Sequence, residues 1–249
     1  MVTSSSAKSA KFRPRLVVAG ATGLVGRAVL ALLTGRPVAP GIPKNSGLTA
    51  LVRQPAQLTG LPAGVNGQLV DLSALGRAGV EGLPALDWAV CCLGTTLKAA
   101  GSQAAFRAVD FDAVLAFARA AKVAGASRLA VVSAMGASAR SSMFYSRVKG
   151  EMEQALIALD LPRLVIVQPA LLLGERASLG QASRPGEALA QRWMPRLAGL
   201  LPRSLRPIRA DAVALAMITA LAADGPAVSR LSSGQLQALA DQAQARSQR

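Results

Sequence analysis

Short apolar runs alternate with helix-length amphipathic stretches along most of this chain, which predicts repeated βα units around a parallel sheet. Strands are predicted over 15–19, 48–52, 67–70, 88–93, 129–133 and 164–168, and helices over 24–33, 104–124, 144–159 and 211–223. Between the first helix and second strand, residues 35–47 are rich in Pro and Gly and read as a surface excursion. From 171 to 207 the periodicity fades and Pro185, Gly186, Pro195 and Pro202 break the chain, so a substrate-side cap is expected there. Leu236 and Leu239 suggest a terminal helix within 232–249. The fold class is α/β, a Rossmann-type doubly wound, mostly parallel sheet with helices on both faces and a small C-terminal cap.

With 249 residues, 51% hydrophobic, the chain can bury one large core; the expected layout is a disordered basic tail over 1–14 and a single NAD(P)-binding domain over 15–249. No apolar run reaches the roughly 18 residues of a membrane span. The tail lacks the apolar segment of a secretory signal; its Ser, Lys and Arg content without acids weakly suits a transit peptide, against which stands the missing amphipathic helix. Cys91 and Cys92 are adjacent on a strand and point to opposite faces, which argues against a disulfide between them. Two cysteines and no His predict a reducing, cytoplasmic setting and no structural metal.

The net charge of +15 is concentrated in the tail and in 176–209, where seven arginines face Glu187 alone. Such a surface could meet a phosphate, a nucleic acid or an acidic partner; the plainer reading is a solvated basic face, and nucleic acid is not expected.

The first strand runs directly into Gly20, Ala21, Thr22, Gly23, Leu24, Val25 and Gly26, and a helical pattern follows at once. Glycines there let the backbone approach a pyrophosphate, and the helix start presents free N–H groups to it. At the end of the second strand, where an acid would favour NAD(H), stands Arg53, whose fork of donors suits a 2′-phosphate and favours NADP(H); a solvated loop arginine is the alternative. Asp71, followed by Leu72, either accepts from an adenine amino group or caps a helix, a role Ser73 can also fill. After the fourth strand and Leu93, Gly94 would open space beside the expected cofactor ribose and Thr95 would offer a hydroxyl, unless the segment forms only a strand-ending turn.

Tyr145, the only tyrosine, and Lys149 are four residues apart and share a helix face, while Phe144, Val148, Met152 and Leu156 form a neighbouring apolar stripe. A phenol with a pKa of about 10 is a poor acid or base at neutral pH unless an ammonium stands nearby, as Lys149 could. Ser133, at the end of the preceding strand, is expected to donate to a substrate carbonyl that Tyr145 protonates as hydride arrives. Without His, triads and zinc sites that need it are excluded, and Cys92 has no base to activate it.

On these residues the chain resembles the atypical short-chain dehydrogenase/reductase superfamily and, within it, the Tat-interacting-protein-like group of NADPH-binding oxidoreductase-like proteins. The resemblance runs over about 15–222 and is most specific in GATGLVG (20–26), CCLGTT (91–96), YSRVKGEME (145–153) and SRPGE (183–187). It implies an NADPH cleft lined by Thr22, Gly23, Leu24, Val25, Arg53, Leu93, Gly94, Tyr145 and Lys149, and places Leu172 and Arg184 near the nicotinamide. The group tends to show a second basic residue after the strand-two arginine; here it is Gln54, which softens the 2′-phosphate preference. The loops over 35–47 and 177–182 are also longer than the group's pattern.

The function expected is NADPH-dependent reduction of a small carbonyl or imine substrate by Ser133, Tyr145 and Lys149. The main alternative is a non-catalytic NADP(H)-binding redox sensor or regulator acting through a protein partner. Sugar-nucleotide epimerases share the turn and the Tyr–Lys pair, but carry a larger C-terminal substrate region than this chain provides. A monomer or homodimer is expected.

Overall fold

The computed structural model describes residues 13–35, 47–72, 82–173 and 205–247. The basic tail, most of the 35–47 excursion, Ser73, Arg184, SRPGE and most of the expected cap at 171–207 lie outside the described residues.

The chain order is β1 (Arg15–Ala19), α1 (Leu24–Thr34), β2 (Gly47–Val52), β3 (Asn66–Leu69), β4 (Trp88–Cys91), α2 (Leu97–Ala100), α3 (Gln103–Arg107), a π-helical segment (Ala108–Ala113), α4 (Val114–Val123), β5 (Arg128–Val132), α5 (Phe144–Ile157), β6 (Arg163–Gln168), β7 (Leu172–Leu173), β8 (Ile208–Arg209), α6 (Ala210–Ala222), β9 (Val228–Ser232) and α7 (Ser233–Ser247). Seven strands form one sheet in the order β3-β2-β1-β4-β5-β6-β9, every neighbouring pair parallel. The chain reverses direction across the sheet between β1 and β4, the switch point at which doubly wound folds open a crevice.

Strand alternation divides the core into two layers. Leu16, Val18, Ala50, Val90, Val165 and Val167 pack with α1, α6 and α7; Val17, Ala19, Ala89, Cys91, Val131 and Ile166 pack with α4 and α5. Both faces are covered, which is why these strands read as nearly continuous apolar runs. Cys91 and Cys92 do fall on opposite layers.

Two elements depart from the sequence expectation. The single helix expected over 104–124 is interrupted by the π-helical segment, whose wider turn advances the register and carries Asp110 into the interior. β9, which the sequence did not signal, pairs along β6 as an edge strand. It is held from below by Arg163, whose guanidinium donates to the Ser229 hydroxyl at 2.7 Å, to the Pro226 carbonyl and, at 3.1 Å, to the Ala220 carbonyl near the end of α6. Arg128 donates to the Leu221 and Ala222 carbonyls at 2.8 and 2.9 Å, so two arginines cap α6.

Gly26 sits where any Cβ would run into the Gly20 carbonyl and the Ala21 Cα. Gly26→Ala is therefore expected to lower unfolding free energy by about 1–3 kcal/mol, read from urea denaturation, because the first turn of α1 must move off the β1 turn.

Candidate active site

The site is assembled at the carboxyl ends of β2, β1, β4 and β5, adjacent in the sheet. After β1 the chain turns at Gly20, whose φ of +73° belongs to the left-handed region. A Cβ there would stand 2.5 Å from the Cys92 carbonyl, so this turn lies directly on the chain leaving β4. The Gly23 N–H donates to the Gly20 carbonyl at 3.1 Å, and Gly23 is the N-cap of α1. No side chain caps this helix start and its first turn holds no acid, so its N–H groups and positive dipole end suit an anion such as a pyrophosphate. Thr22 and Leu24 are half-buried there, while the Val25 side chain belongs to the core and only its backbone can face a ligand. Arg27, not anticipated from sequence, braces the turn by donating from Nε to the Thr22 carbonyl at 3.0 Å.

Arg53 follows β2 directly and its side chain is exposed. Its backbone N–H and that of Gln54 both donate to Gln57 Oε1, at 3.0 and 3.2 Å, which fixes the turn and leaves the guanidinium to face outward. Asp71 is exposed beyond β3, and Leu72 packs beside Ala116 and Ala120 of α4. Leu172 lies in the short β7–β8 ladder opposite Ile208 and packs against the layer of α1 and α6.

A buried polar cluster lies where the chain after β4 meets α5. Lys149 Nζ stands 2.8 Å from Asp110 Oδ1, with side chains only 4% and 1% exposed. Asp110 Oδ2 accepts the Thr95 backbone N–H at 2.8 Å. Thr95 thus enters through its backbone, and Thr96 is the residue whose hydroxyl caps α2. A Cβ on Gly94 would lie 3.4 Å from Asp110 Oδ1 and 3.8 Å from Lys149 Nζ, so this glycine lets the loop after β4 pass close over the ion pair. Leu93 is buried beneath it. One turn earlier on α5, Tyr145 is 36% exposed, its ring 5.4 Å from that of the buried Phe106. Tyr145 is therefore accessible while Lys149 is enclosed.

Ser133 follows β5 and is buried; its Oγ donates to Glu153 Oε1 at 2.5 Å. This differs from the expected donation to a substrate, because a hydroxyl has one hydrogen and a carboxylate beside it takes that hydrogen. Asp110 and Glu153 were both missed from sequence. The one hint in the sequence was the four-residue step from Lys149 to Glu153 on α5; Asp110 stands among other charged residues, Arg107 and Asp112, and nothing set it apart.

Burial pushes the Cys91 thiol up to about 12, and raises that of Cys92 as well, so neither is a thiolate at neutral pH. Among the described residues no three His, Cys, Asp or Glu side chains are grouped to hold a metal ion, and no helix is long and apolar enough to cross a membrane.

Residues 20–197 match the family model described as NAD(P)H-binding. Two curated fungal relatives, the fmp52 proteins of Emericella nidulans and Aspergillus fumigatus, are 34% and 33% identical, over 69% and 81% of this chain and 71% and 84% of their own. Rat HTATIP2 is 40% identical over 56% of this chain and 54% of its own length. Both fmp52 names carry the word mitochondrial, which overturns the cytoplasmic setting expected from the cysteines; a low cysteine count marks a reducing compartment without saying which one. Among solved structures, the Bordetella bronchiseptica enzyme WbmG in complex with NAD superposes with a TM-score of 0.62 at 16% identity, over 95% of this chain and 79% of that one. The UDP-N-acetylglucosamine 4-epimerase of Methanobrevibacter ruminantium gives 0.62 at 14% identity, over 88% and 76%. At such identities the structural likeness establishes the Rossmann fold and no more. The glycine turn, the ion pair under Gly94 and the family match agree: this chain belongs to the NAD(P)H-binding family, in the Tat-interacting-protein-like group of atypical short-chain dehydrogenases/reductases.

Proposed function

We propose that this chain is an NADPH-dependent oxidoreductase acting on a small carbonyl or imine and the corresponding alcohol or amine, with Tyr145 exchanging the proton. The observation that carries the reading is the Lys149–Asp110 pair, enclosed one turn below an accessible tyrosine and directly beneath Gly94 of the cofactor-side loop. A bound nicotinamide would supply or accept the hydride. Tyr145 gives its phenolic proton to the reacting heteroatom or takes one from it, and the Lys149 ammonium, held by Asp110, supports the charge that develops on the phenol oxygen. Ser133 is the second polar group placed at this end of the sheet, and Phe106 fixes the tyrosine ring. Arg53 is the residue for the 2′-phosphate, and Leu172 and Arg184 are assigned to the nicotinamide side by family resemblance. The names of the fungal relatives favour a mitochondrial setting.

The test is NADPH oxidation followed at 340 nm with a panel of small aldehydes, ketones, quinones and imines. Saturable turnover with any of them supports the reading; tight NADPH binding without turnover would favour a regulator that works through a protein partner. Arg53→Ala is expected to weaken NADPH roughly tenfold to a hundredfold and NADH by less than about threefold, measured by calorimetry, since only NADPH carries the phosphate that the guanidinium would bond. Equal losses for both nucleotides would remove Arg53 from that role.

A further inference from the structure

Tyr145 and Lys149 are one turn apart on α5, and their partners are one turn apart on the neighbouring stretch, Phe106 in α3 and Asp110 in the π-helical segment. Two rungs therefore join the two stretches: the Tyr145 ring lies 5.4 Å from that of Phe106, and Lys149 Nζ stands 2.8 Å from Asp110 Oδ1. The only tyrosine in the chain is thus followed, one turn on, by a buried cation and a buried anion together. Of the other charges around this end of α5, Arg107 pairs with Glu151, and Arg147 donates to the Ser141 and Ser142 carbonyls at 3.0 and 3.2 Å. Lys98 and Arg140 are exposed, where water and salt screen them. Cys91 faces the same pair from β4, but burial pushes its thiol up to about 12, so it brings no charge.

We infer that Asp110 is a positioning residue that biases the site toward reduction at neutral pH, its carboxylate opposing the Lys149 ammonium over the Tyr145 proton. This rests on the reading that Tyr145 exchanges the proton with the substrate. In reduction Tyr145 gives that proton to the carbonyl oxygen as hydride from NADPH reaches the carbon, leaving an alcohol, NADP+ and a phenolate that water reprotonates. Oxidation is the same step reversed and starts from the phenolate. An ammonium acting alone one turn away favours the phenolate, and a carboxylate beside it favours the phenol. With the two charges 2.8 Å apart and both enclosed, each weakens the other's effect on the tyrosine, while the ammonium remains in place to support charge that develops during the reaction.

Because Tyr145 is the only tyrosine, its ionisation can be followed without any substrate, by the ultraviolet absorbance of tyrosinate. The absorbance is read in the first seconds after a pH jump, before alkaline unfolding, with Tyr145→Phe as the blank. Asp110→Asn keeps an oxygen for the Thr95 N–H and removes only the charge. Two comparisons isolate that charge: wild type against Asp110→Asn, and Lys149→Met against Lys149→Met with Asp110→Asn. In each, the partner lacking the carboxylate should form tyrosinate about one pH unit lower. If one single variant does not fold, the other comparison carries the test. A purely structural role for Asp110 would leave the transition where it was, so coincident transitions in every comparison that folds would overturn the inference. With any alcohol that the chain oxidises, the pH at which oxidation rises should fall by the same amount in Asp110→Asn, and an unmoved profile would also overturn it. Turnover of Tyr145→Phe separates the two levels. Loss of turnover beside an unmoved tyrosinate transition defeats the role of Asp110 alone, whereas full turnover without the phenol defeats the reading of Tyr145 and this inference with it.

Discussion

Tyr145→Phe should lower turnover by about 10²–10⁴-fold while leaving NADPH affinity within roughly threefold of wild type. The substitution removes only the oxygen. The ring keeps its place 5.4 Å from Phe106, at the accessible start of α5, so the helix and its packing should persist. Lys149 and Gly94, which lie against each other, are not touched by the change. A loss confined to kcat would identify a group that acts on the reacting atoms. A Phe variant with near-normal kcat would show that another group moves the proton, and a variant that lost NADPH binding equally would make Tyr145 part of the cofactor site instead. Stopped-flow absorbance at 340 nm beside calorimetric titration gives both numbers from one preparation.

The second large effect is expected at the buried pair. Asp110→Ala leaves the Lys149 ammonium enclosed without its counter-charge and deprives the Thr95 N–H of its acceptor, so unfolding free energy should fall by about 3–5 kcal/mol in urea denaturation. Asp110→Asn combined with Lys149→Met removes both charges and retains an oxygen for Thr95. It should recover most of the loss, to within about 1–2 kcal/mol of wild type, because no unpaired charge is left buried. Turnover should not recover with it, since the ammonium beneath Tyr145 is gone. A double variant as unstable as Asp110→Ala would mean that shape, rather than charge, holds this region. One as active as wild type would remove Lys149 from the chemistry.

How far the chain could be read from its sequence depended on where each residue's partners lie. The glycine turn was legible because its requirements are local: a strand, then Gly20 at positive φ, then a helix start with no capping side chain. The pairing of Tyr145 with Lys149 on one face of α5 followed from helical periodicity alone. Central strands buried on both faces announced themselves as apolar runs, whereas β9, with the sequence VSRLS at the sheet edge and only partly buried, carried no such pattern. Its pairing is set by β6 and by the long reach of Arg163. Asp110 and Glu153 were missed for a related reason. Each is explained by a group distant in sequence, Lys149 in one case and Ser133, Gln168 and Arg230 in the other, so neither contact has a local signature. The π-helical segment that turns Asp110 inward is likewise invisible to a pattern that assumes 3.6 residues per turn. Ser133 shows the intermediate case: its place at the end of β5 was legible, but the direction of its hydrogen bond depends on a carboxylate that only the folded chain brings there.

Calorimetric titration of the purified chain with NADPH, with NADH as the comparison, tests the central claim most directly. The account predicts one saturable site, roughly micromolar or tighter for NADPH and weaker for NADH. Absence of a binding isotherm for either nucleotide, with the protein shown to be folded, would contradict the assignment of the glycine turn and the loop over the Lys149–Asp110 pair as a working dinucleotide site.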